Sequence, residues 1–195
     1  MEGFLVYLRL GFDHIQDWAG YDHMLFLLAL VTTASLASWR QLLILVTALT
    51  VGHSITLAMA TFDVFRLQAS LVETLIPMTI VVTSLFNLTQ LNTTRRATVR
   101  DRLPYLLTLM FGLVHGLGFS NYLRAMLGVE ENLFLPLLAF HVGLQVGQVI
   151  VVTGILIAST LIQNAIQIPR RYWIVFMSGC TFGISLLMAL ERMFG

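Results

Sequence analysis

Lysine is absent from the 195 residues, and charged side chains of every kind make up only 11% of them. A soluble domain of this size carries about 25%. That shortfall excludes a soluble globular enzyme and a disordered chain. The cations are all arginine and offset 10 carboxylates, leaving a net charge of +1. With no polybasic field, no nucleic acid is expected as a partner. Cys180 is the single cysteine and lies in an apolar run, which rules out a disulfide framework and a CxxC metal site. What the chain has in abundance is apolar surface: 57% hydrophobic residues and a mean hydropathy of +0.85. The length suits a single polytopic membrane domain.

Apolar stretches of roughly 20 residues mark helices able to cross a hydrocarbon core of about 30 Å. Six can be read, at about 21–37, 41–61, 70–91, 103–123, 133–162 and 172–193. The expected fold class is therefore an all-α integral membrane protein, a bundle of six transmembrane helices, or seven if a short outer segment is added. Residues 1–19 read as that segment, interfacial in character, and not as a cleaved signal: Glu2 precedes its arginine and no small-x-small site follows. No internal repeat is evident, so an inverted-repeat carrier draws no support.

Arginine counts set the expected orientation. Arg40, Arg95, Arg96, Arg100, Arg102, Arg170 and Arg171 fall after spans one, three and five, with Asp101 as the lone carboxylate among them. The opposite side holds Arg9, Arg66, Arg124 and Arg192 with Glu2, Asp13, Asp17, Asp22, Asp63, Glu130, Glu131 and Glu191. The arginine-rich side is expected in the cytoplasm, which puts both termini outside an inner (cytoplasmic) membrane.

The five histidines, His14, His23, His53, His115 and His141, all fall on the outer side of this scheme. His14 and His23 flank the outer start of span one. His53, His115 and His141 each lie eight residues from the outer end of a span, a depth of about 12 Å. Glu73 lies at or just below the same surface. A single membrane histidine often does no more than hydrogen-bond to a neighbouring helix, and an acidic residue at a helix mouth is more often solvated than functional. Several ionisable groups at one level, each costing roughly 2.5–3.5 kcal/mol on insertion scales for the charged types, call for a shared partner. A metal ion is the natural one, since neutral imidazole ligates zinc, nickel and cobalt well. The expected ligand set is His14, Asp22, His23, His53, His115, His141 and Glu73, with Asp22 either a ligand or the acceptor that orients an imidazole. Ser54 and Asn121 are polar neighbours whose bland reading is a local backbone bond. Gly112, Gly116 and Gly118 would let helices approach closely. Gln145 and Gln148 follow His141 on the same helix face.

At these residues the chain resembles the HupE/UreJ membrane proteins, specifically their second type. The family pattern H-I-x-x-G-x-D-H-x-L-F is similar to His14-Ile15-Gln16-Asp17-Trp18-Ala19-Gly20-Tyr21-Asp22-His23-Met24-Leu25-Phe26, with a longer gap. Further blocks are Gly52-His53-Ser54-Ile55-Thr56-Leu57, Val72-Glu73, Phe111 to Phe119 around His115, and Phe140-His141-Val142-Gly143-Leu144-Gln145-Val146-Gly147-Gln148. His141 stands where the family is expected to have Asn, and Gln145 where it is expected to have Glu, so one carboxylate is exchanged for an imidazole. Pro77 interrupts a stretch that is usually unbroken. The resemblance implies a link to nickel or cobalt uptake, as relatives accompany hydrogenase and urease genes.

Two functions of different class follow. One is a permease or binding protein for a divalent transition metal, with Thr47, Thr50, Ser84, Asn87, Gln145 and Gln148 lining a path inward. The other is an intramembrane zinc-dependent hydrolase or acyltransferase opening to the outer side, with Glu73 or Asp22 as general base on a zinc-bound water. An accessory or metal-sensing role is a blander third. Expected partners are the lipid bilayer and the metal ion, with a homo-oligomer left open.

Overall fold

The computed structural model describes residues 2–16, 21–62, 64, 67–92, 102–120, 123 and 133–194. Among the described residues the chain is all-helical. The helices are α1 (Glu2–Ile15), α2 (Asp22–Val31), α3 (Trp39–Thr61), α4 (Ala69–Thr89), α5 (Arg102–Gly118), α6 (Phe134–Ile166) and α7 (Arg170–Phe194). Short 3-10 turns precede α3 at Leu36–Ser38 and follow α4 at Gln90–Asn92. An apolar chain in a membrane must satisfy its own backbone groups, and helices do so segment by segment.

Among the described residues, four segments are long and apolar enough to cross a membrane on their own: Leu36–Thr61, Ala69–Thr89, Phe134–Ile166 and Arg170–Phe194. The second, third, fifth and sixth expected spans fall on these. The described parts of the other two do not reach that length. The fourth expected span is helical from Arg102 to Gly118, and Pro104–Gly118 is its apolar part. The first expected span, at about 21–37, corrects to a helix of only 10 residues, Asp22–Val31, which rises about 15 Å. Thr32 and Thr33 then leave the helix, with the Thr32 hydroxyl turned back onto the Leu28 carbonyl at 2.8 Å.

The N-terminal segment is an α-helix laid lengthwise on α6. Gly11 abuts the Phe140 carbonyl, Gly143 abuts the Leu8 carbonyl, and Gly147 meets Phe12 and Ile15. A side chain at Gly11 or Gly143 would strike backbone, so these positions need glycine for the helices to touch. The order of the contacts makes α1 parallel to α6. Beyond α1, α2 continues past α6 toward the α6–α7 corner, where the Arg170 guanidinium donates to the Thr33 carbonyl.

Two other tight pairings complete the bundle. α3 packs on α5, with Gly52 against the Leu109 carbonyl, Gly112 against the Leu49 carbonyl, and Gly116 against the His53 carbonyl and Thr56. α4 packs on α7, where Ser84 and Thr181 share a 2.7 Å hydrogen bond. α2 lies between these pairs, and the Asn87 amide of α4 donates to its Ala29 carbonyl at 2.7 Å. Phe26, Leu27, Leu57, Ile80, Phe140 and Leu144 are fully enclosed where the helices converge.

Candidate metal site

Each histidine arrives on a different helix. His14 sits in the last turn of α1, and His23 is the second residue of α2. His53 lies within α3, His115 in the last turn of α5, and His141 two turns into α6. The close approach of α3 to α5 at Gly116 sets His53 and His115 side by side in register. The α1–α6 glycine contacts bring the last turn of α1, with His14, against α6 near Gly147, and the His14 ring meets Phe140 at 5.9 Å.

The five rings form one cluster. Ring centroids are 4.7 Å apart for His14–His23, 6.0 Å for His14–His53, 6.1 Å for His23–His53, 4.9 Å for His23–His115 and 6.0 Å for His53–His141. His14, His23 and His53 each offer a ring nitrogen such that all three atoms lie within 4.8 Å of one another. His23, His53 and His115 are buried and His14 is half-buried.

The nitrogens are the informative atoms. Nε2 of His14, Nε2 of His23, both nitrogens of His53, Nδ1 of His115 and Nε2 of His141 are buried without a hydrogen-bond partner. Native proteins leave few buried polar atoms unpaired, and each costs about 1–3 kcal/mol. Two of the rings have their tautomer settled by their neighbours. His141 Nδ1 faces the Leu137 carbonyl at 2.7 Å, and a carbonyl only accepts, so Nδ1 holds the proton and the Nε2 lone pair points into the cluster. The Thr79 hydroxyl donates to the Ile76 carbonyl at 2.7 Å and lies 3.1 Å from His115 Nε2. Its proton is thus committed, so His115 Nε2 donates and its Nδ1 lone pair is free. An imidazole that donates one N–H to a fixed acceptor and aims the other nitrogen inward is the arrangement metal-binding histidines adopt. The donor set fits a divalent ion with a taste for nitrogen: nickel, cobalt or zinc.

The carboxylates are placed differently. Asp22 is buried at the start of α2, but its Oδ2 accepts from Arg192 Nη1 and Nη2, each at 3.1 Å. Glu73 is exposed, and it is its backbone carbonyl that Arg192 engages, at 2.8 Å. The geometry thus brings together the five histidines and leaves Glu73 outside the cluster. Asp13 is exposed and paired with Arg9 at 3.4 Å, a surface contact of little energetic weight. Ser54 bonds the Thr50 carbonyl at 2.7 Å, a local backbone bond. Asp17 and Asn121 lie outside the described residues.

The polar residues expected along an inward path divide among three seams. Thr50 donates to the buried Gln148 at 2.7 Å, and Gln145 reaches Thr47 at 3.4 Å, both between α3 and α6. Ser84 and Asn87 are used elsewhere, in the α4–α7 and α2–α4 contacts. The aromatic wall was missed in the sequence. Phe119 lies 4.0 Å from His14 and stacks on Phe140 at 5.1 Å, and Phe26 lies 5.2 Å from His115. A signal was present: Phe26 follows His23 by three residues, Phe119 follows His115 by four, and Phe140 adjoins His141.

The pattern of the family described as HupE / UreJ protein matches residues 1–192. No curated protein and no solved structure matches the chain. With the match running over the whole helical bundle that carries the histidines, the chain belongs to the HupE/UreJ family.

Proposed function

We propose that this chain is a membrane permease for a divalent transition metal, nickel or cobalt, whose cargo is held in transit by the histidine cluster. One observation carries the reading: buried, unpartnered ring nitrogens of His14, His23 and His53, from three helices, lie within 4.8 Å of one another, with the His115 and His141 rings alongside. The arginine asymmetry supports placing that point in the outer half, open to the extracytoplasmic side, with both termini outside. The seam of Thr50, Gln148, Thr47 and Gln145 then extends from His53 and His141 toward the cytoplasm and offers oxygen and amide groups to an ion leaving the imidazoles.

We also read α1 and α2 as the outer and inner halves of one crossing. Their 14 and 10 residues amount to about 36 Å of helix. His14 and His23 fall at the facing ends of the two helices.

The hydrolase reading needs a free carboxylate beside a metal-bound water. Arg192 engages Asp22 and Glu73 is exposed, which favours carriage over catalysis. Proteoliposomes loaded with a nickel-sensitive dye test the proposal. Protein-dependent nickel or cobalt entry is expected, and His23→Ala or His53→Ala should reduce it at least tenfold. Entry no faster than in protein-free liposomes would overturn the permease reading.

A further inference from the structure

Arg192, in the last turn of α7, joins three helices at a single guanidinium. Nη1 donates to the Glu73 carbonyl of α4 at 2.8 Å, and both terminal nitrogens donate to Oδ2 of Asp22 on α2. The Glu73 carbonyl is open to this bond for a covalent reason. Its helical partner would be the N–H four residues on, and that residue is Pro77, which has none. The α7 backbone is tied into the same knot, where Thr74 Oγ1 lies 3.5 Å from the Arg192 carbonyl. The ion pair is largely withdrawn from solvent, with side-chain exposures of 29% for Arg192 and 10% for Asp22. It directly adjoins His23.

A carboxylate beside a divalent cation attracts it and a guanidinium repels it, both strongly where the dielectric is low. Paired, the two charges cancel at the distance of the cluster. We infer that Arg192 is a positioning residue that holds Asp22 away from the histidines and neutralises it, so that the site grips its cargo through uncharged imidazoles alone. The inference rests on the transport reading and deepens it: a carrier must release its ion, and a neutral site holds a divalent ion less tightly than the same site with a net negative charge. The first turn of α2 already favours a carboxylate through the helix dipole, and no side chain caps it at Tyr21.

Nickel affinity of the purified, detergent-solubilised protein tests this by titration calorimetry, with release timed by stopped-flow mixing with a chelator. Arg192→Gln should bind nickel about 10-fold more tightly and release it correspondingly more slowly. Asp22→Asn, which leaves the arginine uncancelled, should bind about 10-fold more weakly. The double variant Asp22→Asn/Arg192→Gln should return to within about 3-fold of the wild type, because the charges balance again. A purely structural latch would weaken binding in all three, and a metal-ligating Asp22 would weaken the double variant as much as Asp22→Asn. Either result overturns the inference. The double variant buries no lone charge, so it can be read even if one single variant fails to fold. If the wild type binds no nickel, cobalt or zinc, the transport reading itself fails, and this inference with it.

Discussion

At the scale of single residues, the site is built at the expense of stability. His53 is 1% exposed with neither ring nitrogen paired, so without a metal it carries the desolvation cost of two polar atoms with no hydrogen bond in return. We predict that His53→Leu, close in volume and apolar, raises the stability of the metal-free protein by about 1 kcal/mol while abolishing metal binding. Thermal unfolding after chelator treatment measures the first part and metal titration the second. A lower melting temperature in the metal-free variant would mean that His53 is a packing residue. The histidines themselves were legible in the sequence, because few other ionisable groups interrupt its apolar runs. The fate of Asp22 was not: its partner lies 170 residues away, and no local pattern marks an ion pair at that separation. Glu73 read as a ligand by depth, whereas the structure turns its carbonyl to Arg192 through the proline four residues on.

At the scale of elements, the α1–α6 seam decides whether His14 reaches the cluster. α1 is anchored chiefly to α6, and the contacts at Gly11 and Gly143 are backbone against backbone. Gly143→Val must push α1 outward, at a cost of about 1–3 kcal/mol. His23, His53 and His115 stay on helices whose main packing partners are not α1. The predicted outcome is a folded bundle with weakened metal affinity, in which adding His14→Ala causes little further loss. Calorimetry on the two single variants and the double variant reads this, and full additivity would show that α1 does not position His14. The periodic apolar runs made α3, α4, α6 and α7 readable within a few residues. The division between α1 and α2 was not readable in this way. Glu2, Arg9 and Asp13 made α1 look like a surface segment, while its glycine seam depends on three glycines, two of them in α6, far along the chain.

At the scale of the whole molecule, five helices contribute one imidazole each to the cluster, so on the proposed reading metal binding and the holding together of the bundle are linked. Ligation needs neutral imidazole, and protons compete for the same lone pairs. Lowering the pH therefore weakens binding, and raising it toward neutrality restores it. We predict that metal loading falls as the pH is lowered into the acid range, with more than one proton exchanged per ion, and that bound metal raises the unfolding temperature in the same pH order. Loading that stays flat until the protein itself unfolds in acid would exclude an all-imidazole site. The fold class was legible from composition because a membrane chain has few architectures open to it. The convergence of the site was not, since depth along a helix says nothing of which face a residue takes.

The most direct measurement is elemental analysis of the purified protein after loading with nickel or cobalt and a brief wash. The account predicts one ion per chain in the wild type and loss of that ion in both His23→Ala and His53→Ala, with helical content unchanged. Full metal content in both variants would contradict it.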